Sequence, residues 1–192
     1  MFLKKPQILT FLLIALIIVN AGLIIQNRRL SSIIDELHPT EIETGDAIKG
    51  FEANTLDGRI VNINFGKSGV QSVLLYFQPS CGFCKKQMPN WKTLIDNAEP
   101  SRFRIKLITA DSNVDSVRNY LSEYGINEQD ALIVSSDFVK DVNLNGTPTT
   151  VVLDSEGKVE HRWIGLWKQK DMAEAEAVFK LKFSLADVTS AN

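Results

Sequence analysis

From Ile8 to Ile25 the chain is apolar, interrupted only by Thr10, Asn20 and Gly22. Lys4 and Lys5 precede this run and Arg28 and Arg29 follow it. No charge falls inside. At about 1.5 Å of rise per residue, a helix of this length just matches a bilayer core of about 30 Å. The run predicts an N-terminal transmembrane anchor over residues 1–27. A cleaved signal peptide is the alternative, with Val19 and Ala21 as the small residues of a cleavage site. Leu23, Ile24 and Ile25 continue the apolar run past that point, which favours retention of the segment. The flanking basic residues balance, so charge alone does not orient the segment.

Residues 28–44 read as a polar spacer. Ile33, Ile34 and Leu37 extend the helix by a turn or two before Pro39 ends it. From Gly45 the pattern turns globular and stays so to residue 184; residues 185–192 read as a flexible tail. "GFEANTLDGRIVNINF" predicts two short strands around the turn at Asp57-Gly58. "SVLLYFQ" (72–78) is continuously apolar, the mark of a strand buried on both faces. "KKQMPNWKTLIDNAE" has helical spacing at Met88, Trp91, Leu94 and Ile95, with Pro89 as an internal kink. "FRIKLITAD" is a strand, "SNVDSVRNYLSEYG" a helix ending at Gly125, and "ALIVSS" a short strand followed by a helical turn through Phe138 and Val142. "TTVVLDSEGKVEHRWIG" is a hairpin, and "WKQKDMAEAEAVFKLKF" a closing helix. Strands alternating with helices, then a hairpin and a helix, predict an α/β fold with a mixed sheet flanked by helices.

A formal net charge of −2 over 192 residues supplies no basic field for nucleic acid. The chain shows no internal repeat. It has two cysteines, too few for a disulfide-stapled secreted scaffold. Both lie in "PSCGFCKK" (79–86), as Cys81 and Cys84. A zinc site takes four ligands, and His38 and His161 stand at no metal-ligand spacing. A structural disulfide over so short a loop removes little unfolded-state entropy. A redox couple fits the placement better. The pair follows a buried strand and opens a helix, so unsatisfied N–H groups and the helix dipole stabilise a thiolate on Cys81. Cys84, a turn further in, is placed to attack a mixed disulfide. Strand-C-x-x-C-helix is a moderate signal by itself. "NGTPTTVVLDSEGKV" (145–159) adds Pro148 between a helical turn and a strand. It reads either as a loop proline before an edge strand or as a cis-proline beside the cysteines, leaving the Thr147 backbone to bind an extended peptide.

With these stretches in hand, the chain resembles the membrane-anchored TlpA/ResA type of thioredoxin-fold thiol-disulfide oxidoreductase. The resemblance covers Gly45 to Phe183, through the hairpin from Phe51 to Phe65, "YFQPSCGFCKKQMPNW" and "GTPTTVVLDSEGKVEHRWIG". It implies a thioredoxin-like fold with an N-terminal β-hairpin extension. Cys81 would attack, Cys84 resolve, Pro148 be the cis-proline and Pro89 the kink in the active-site helix. It implies no cofactor. The partners would be protein disulfides, such as those of apocytochrome c, and a membrane electron donor, with the domain outside the cytoplasm and the amino terminus inside. Three positions depart from the pattern. Leu75 stands where thioredoxins bury an acid, Gln87 where many TlpA/ResA proteins carry one, and Ser80 where a tryptophan is usual. In that last respect the stretch is similar to MauD-like proteins.

Phe83, between the cysteines, reads equally as a substrate-docking surface and as a shield for the disulfide. Trp91, Phe77, Tyr76, Trp163 and Trp167 read as packing, and Lys85 and Lys86 as solvated charges that favour the Cys81 thiolate. Other functions stay open. A peroxiredoxin-like peroxidase calls for a threonine three residues before the reactive cysteine, where Gln78 stands. A Sco-like copper-delivery protein calls for cysteines three apart and a histidine partner. A non-catalytic binding module calls for neither thiol.

Overall fold

The computed structural model describes the backbone of residues 5–37, 41–66 and 69–184, and the side chains of these except 5–12 and 30–37. His38, Pro39 and the tail 185–192 lie outside. The chain divides into two units, Met1–Thr40 and Glu41–Asn192. The first contains α1 (Lys5–Leu37). Its large apolar side chains from Leu13 to Ile25 are exposed. Among the described residues no helix is long and apolar enough to cross a membrane. The first part of the apolar run, Ile8 to residue 12, lies outside the described side chains.

The second unit is an α/β sandwich. In chain order it comprises β1 (Phe51–Thr55), β2 (Ile60–Ile63), β3 (Gln71–Tyr76), α2 (Gly82–Asn97), β4 (Phe103–Thr109) and α3 (Val114–Glu123). A 3-10 turn (Glu128–Asp130) leads to β5 (Ala131–Ile133), α4 (Ser136–Asp141), β6 (Thr149–Leu153), β7 (Val159–Ile164) and α5 (Gln169–Phe179). The sheet has seven strands in the order β2-β1-β5-β4-β3-β6-β7. It is mixed, as expected: β3 runs parallel to β4 and antiparallel to β6. The longest unbroken apolar run in the sheet falls on β3, an inner strand between β4 and β6. Val73, Leu74 and Leu75 are buried on alternating faces, so β3 shows no alternation of polar and apolar residues.

Two apolar layers enclose the sheet. One joins Val73, Leu75, Phe103 and Leu107 to Met88, Trp91 and Leu94 of α2, Val117 and Leu121 of α3, and Phe179 of α5. The other joins Leu74, Ile108 and Val151 to the β1–β2 hairpin and its approach, Ile42, Ile48 and Ala53. Gly157, at φ +87°, lets the β6–β7 turn meet this approach; a Cβ there would stand 2.4 Å from the Ile48 carbonyl oxygen. Helix starts follow side-chain chemistry: Asn113 accepts from the Ser116 N–H at α3, and Ser135 from the Phe138 N–H at α4.

Two boundaries differ from expectation. The compact unit begins at Glu41, because Ile42 is buried and its N–H donates to the Asn143 carbonyl at 3.1 Å. A lone isoleucine in a polar stretch carries no periodicity, so a start at Gly45 came out four residues late. The last helix ends at Phe179, not Phe183. Lys180 takes a left-handed conformation (φ 58°) and turns the chain back. Phe183 then packs edge-on against Trp167 at 5.1 Å, and its N–H reaches Glu176 Oε1. Ser184, at the edge of the globular part, exchanges two hydrogen bonds with the buried side chain of Asn90 on α2.

Candidate active site

β3 delivers the chain from the interior of the sheet to the start of α2. There Cys81 is the N-cap, in extended conformation (φ −78°, ψ 113°), and its Sγ accepts from the Cys84 N–H at 3.2 Å. A sulfur in this place receives the free amides and positive pole of the helix. Both cysteines are free thiols; Cys81 is partly exposed and Cys84 buried. The helix runs through Pro89, which lies exposed in its middle.

The β5–β6 connection brings the second stretch to the sulfurs. The Thr147–Pro148 bond is cis. The Cys81 thiol points at the Thr147 carbonyl oxygen, 3.5 Å away. Thr149 Oγ1 donates to the Gly146 carbonyl at 2.7 Å and closes the loop, and the Gly165 N–H donates to the Pro148 carbonyl at 2.7 Å. Two contacts hold α2 to this side of the sheet. Trp91 Nε1 donates to Thr150 Oγ1 at 2.9 Å, and Gln87 Oε1 accepts from the Trp167 N–H at 3.1 Å. Both were missed in sequence. The available signal for Gln87 was its place between Cys84 and Trp91 on the buried stripe of the helix. Phe83 stands 59% exposed beside Cys81.

The environment separates the two thiols. Partial burial works against ionisation of Cys81. Hydrogen bonds from the Cys84 and Thr147 side chains and from the Cys84 and Phe83 backbone outweigh it and hold Cys81 below the ordinary thiol range. The lowering comes from hydrogen bonds at the helix start and from Thr147. Cys84 goes the other way: burial, and next the Cys81 thiol, push it up to about 12. Leu75 and Gln87 are both fully buried and neither ionises, so the two positions where an acid is usual supply no proton acceptor. Tyr120, whose hydroxyl is buried without a hydrogen bond, has its pKa pushed up and its ionisation suppressed, by burial and then by Cys84. His161 pairs through Nδ1 with Glu174 Oε1 at 2.9 Å and stacks on Trp163. Among the described residues no group of three or more His, Cys, Asp or Glu is arranged to hold a metal.

The separation is measurable as an order of reaction. With the dithiol form and iodoacetamide, Cys81 should alkylate at pH values below the ordinary thiol range, while Cys84 stays unmodified until well above it. Peptide mapping after brief labelling at pH 7 reads the ratio; faster labelling of Cys84 would reverse the assignment.

Comparison with known proteins agrees with this geometry. Over 125 residues the chain is 23% identical to the thiol-disulfide oxidoreductase ResA of Bacillus thuringiensis, spanning 65% of this chain and 72% of that one. It is 22% identical over 128 residues to the sporulation thiol-disulfide oxidoreductase A of Bacillus subtilis, spanning 65% and 76%. Among solved structures, the thioredoxin domain of a thiol-disulfide oxidoreductase from Bacteroides vulgatus superposes with a TM-score of 0.57 at 21% identity, over 72% of this chain and 99% of that one. The model of the thioredoxin-like domain matches residues 62–177, from β2 into α5 and across both cysteines and Pro148. The chain therefore belongs to the thioredoxin-like domain family, with thiol-disulfide oxidoreductases as its relatives.

Proposed function

We propose that this thiol-disulfide oxidoreductase is a membrane-tethered reductase of disulfides in partner proteins outside the cytoplasm, with Cys81 as nucleophile and Cys84 as resolving thiol. The observation that carries the proposal is the asymmetry of the pair: a partly exposed, acidified Cys81 capping a helix, and a buried Cys84 at about 12. The Cys81 thiolate attacks one sulfur of the substrate disulfide. A Cys81–substrate disulfide forms, and the substrate's other sulfur leaves as a thiolate that takes a proton from solvent. Cys84 then gives up its proton to water and attacks Cys81 Sγ. The Cys81–Cys84 disulfide forms and the second substrate thiol departs, so two electrons pass to the substrate. The substrate segment lies extended along the Thr147 backbone beside Pro148, with Phe83 as an apolar contact at the rim. A membrane dithiol donor returns the enzyme to its reduced form.

The uncharged run from Ile8 to Ile25 supports the tether, and the redox chemistry favours an amino terminus on the cytoplasmic side. An exported protein with a cysteine pair, such as an apocytochrome c, is the substrate class to examine first. Gly82 and Phe83 lend no charged hydrogen bond to Cys81, which supports a couple between about −270 and −180 mV. Cys84→Ser in the full chain should trap substrates as mixed disulfides, recoverable from the membrane fraction after carbonate washing. A potential more oxidising than about −150 mV by glutathione titration would make it an oxidant instead. Hydrogen peroxide turnover without disulfide exchange would establish a peroxidase.

A further inference from the structure

We propose that Gln87 is a positioning residue for disulfide exchange: through the Trp167 backbone it holds the Pro148 loop at its working distance from Cys81. The proposal rests on the reading of the chain as a thiol-disulfide oxidoreductase.

Gln87 lies three residues after Cys84 on the inner face of α2 and is fully buried. A carboxamide removed from water loses several hydrogen bonds, and the loss is a cost wherever no protein group replaces them. Here Oε1 accepts from the Trp167 N–H at 3.1 Å, while Nε2 has no partner. Packing alone would be served better by leucine or methionine. The polar group is therefore explained by the one contact it makes, which joins positions 80 residues apart.

That contact closes a circuit through the active site. Trp167 lies in the turn between β7 and α5. Two residues earlier, Gly165 donates its N–H to the Pro148 carbonyl at 2.7 Å. Thr147 precedes Pro148, and its carbonyl lies 3.5 Å from Cys81 Sγ. Cys81 caps the helix that carries Gln87. The neighbouring link, Trp91 Nε1 to Thr150 Oγ1, fixes β6 itself, two residues past Pro148. The loop is held across the site by the Gln87 circuit. Loosening it moves Thr147, whose carbonyl accepts from the Cys81 thiol and whose side chain helps hold Cys81 below the ordinary thiol range, and leaves an extended substrate without a fixed strand to pair with.

Gln87→Met keeps the length and packing and removes the acceptor. At pH 7 it should slow Cys81 alkylation about threefold, by raising the pH midpoint of the reaction. It should raise KM for a disulfide-containing model peptide about threefold or more, with kcat changed less than about twofold. Hydrogen exchange at the Trp167 amide should accelerate. Gln87→Glu restores an acceptor oxygen and should return KM and Trp167 protection to those of the native chain. Should Gln87→Met fail to fold, Gln87→Asn, one methylene too short to reach, gives the same readings. A Gln87→Met enzyme with native KM and native alkylation midpoint, altered only in melting temperature, would overturn the proposal. Insulin reduction by the native protein is measured alongside. If it reduces no protein disulfide, the oxidoreductase reading falls, while amide exchange and the alkylation midpoint still report on the circuit.

Discussion

Cys81→Ser should lower disulfide reduction to the rate seen without protein, and no other group in the site should compensate. A serine hydroxyl is un-ionised at neutral pH even where four hydrogen bonds favour its anion. Cys84 cannot substitute as the attacking group. With its pKa at about 12, about one molecule in 10⁵ carries the thiolate at pH 7, and the sulfur is buried. The contrast with Cys84→Ser is the diagnostic part. That variant keeps the acidified nucleophile, so it should complete the first exchange and then stall with one mixed disulfide per chain. Stopped-flow reduction of a chromogenic disulfide separates the burst from turnover. Residual turnover in Cys81→Ser above about a tenth of the native rate, some 1.4 kcal/mol of barrier, would mean that the nucleophile has been misassigned.

Trp91→Ala should remove a large part of the domain's stability. The indole is fully buried between α2 and the sheet, and its Nε1 holds Thr150 Oγ1 at 2.9 Å. Truncating a buried tryptophan costs roughly 3–5 kcal/mol. The Thr150 hydroxyl, itself buried, then loses its donor, which adds about 1 kcal/mol. Against a typical total of about 5–15 kcal/mol, this brings the protein close to unfolding at 37 °C. Trp91→Phe keeps most of the volume and loses the hydrogen bond, so it should cost about 1–2 kcal/mol. Urea unfolding followed by circular dichroism, with unchanged slope for all three proteins, supplies the comparison. A loss below about 1.5 kcal/mol for the alanine variant would show that the site around Trp91 collapses to fill the gap.

What could be read in advance followed local pattern, and what could not was long-range. β3 announces itself because its apolar run has no gap, and the run has no gap because helices and hairpin cover its two faces. The Asp57-Gly58 turn, the helix start at the cysteine pair and the cis Thr147–Pro148 bond are likewise tied to short stretches. The strand order is not, since β5 bridges β1 and β4 through three residues only. Gln87 was legible as a departure from an acidic pattern, yet its partner is the backbone of Trp167, and a backbone N–H leaves no mark in sequence. Lys180 ends α5 without glycine or proline, because aromatic packing of Phe183 overrides the helical pattern of the last four residues.

The two hydrogen bonds between Asn90 and Ser184 also bear on when the protein becomes an enzyme during its synthesis. Asn90 belongs to the helix that carries both cysteines, and its partner is made 94 residues later. Between them, β4 and β6 must arrive on either side of β3. A nascent chain that has just translated "CGFC" thus holds its two thiols in a segment with none of these partners, exposed to whatever oxidant it meets. The differing acidities of Cys81 and Cys84 arise only once the strand neighbours, the Pro148 loop and the returning C-terminal strap are in place. Before that point the pair behaves as two ordinary thiols on an unfolded chain, and a newly emerging domain gains its chemical identity at nearly the same moment as its fold.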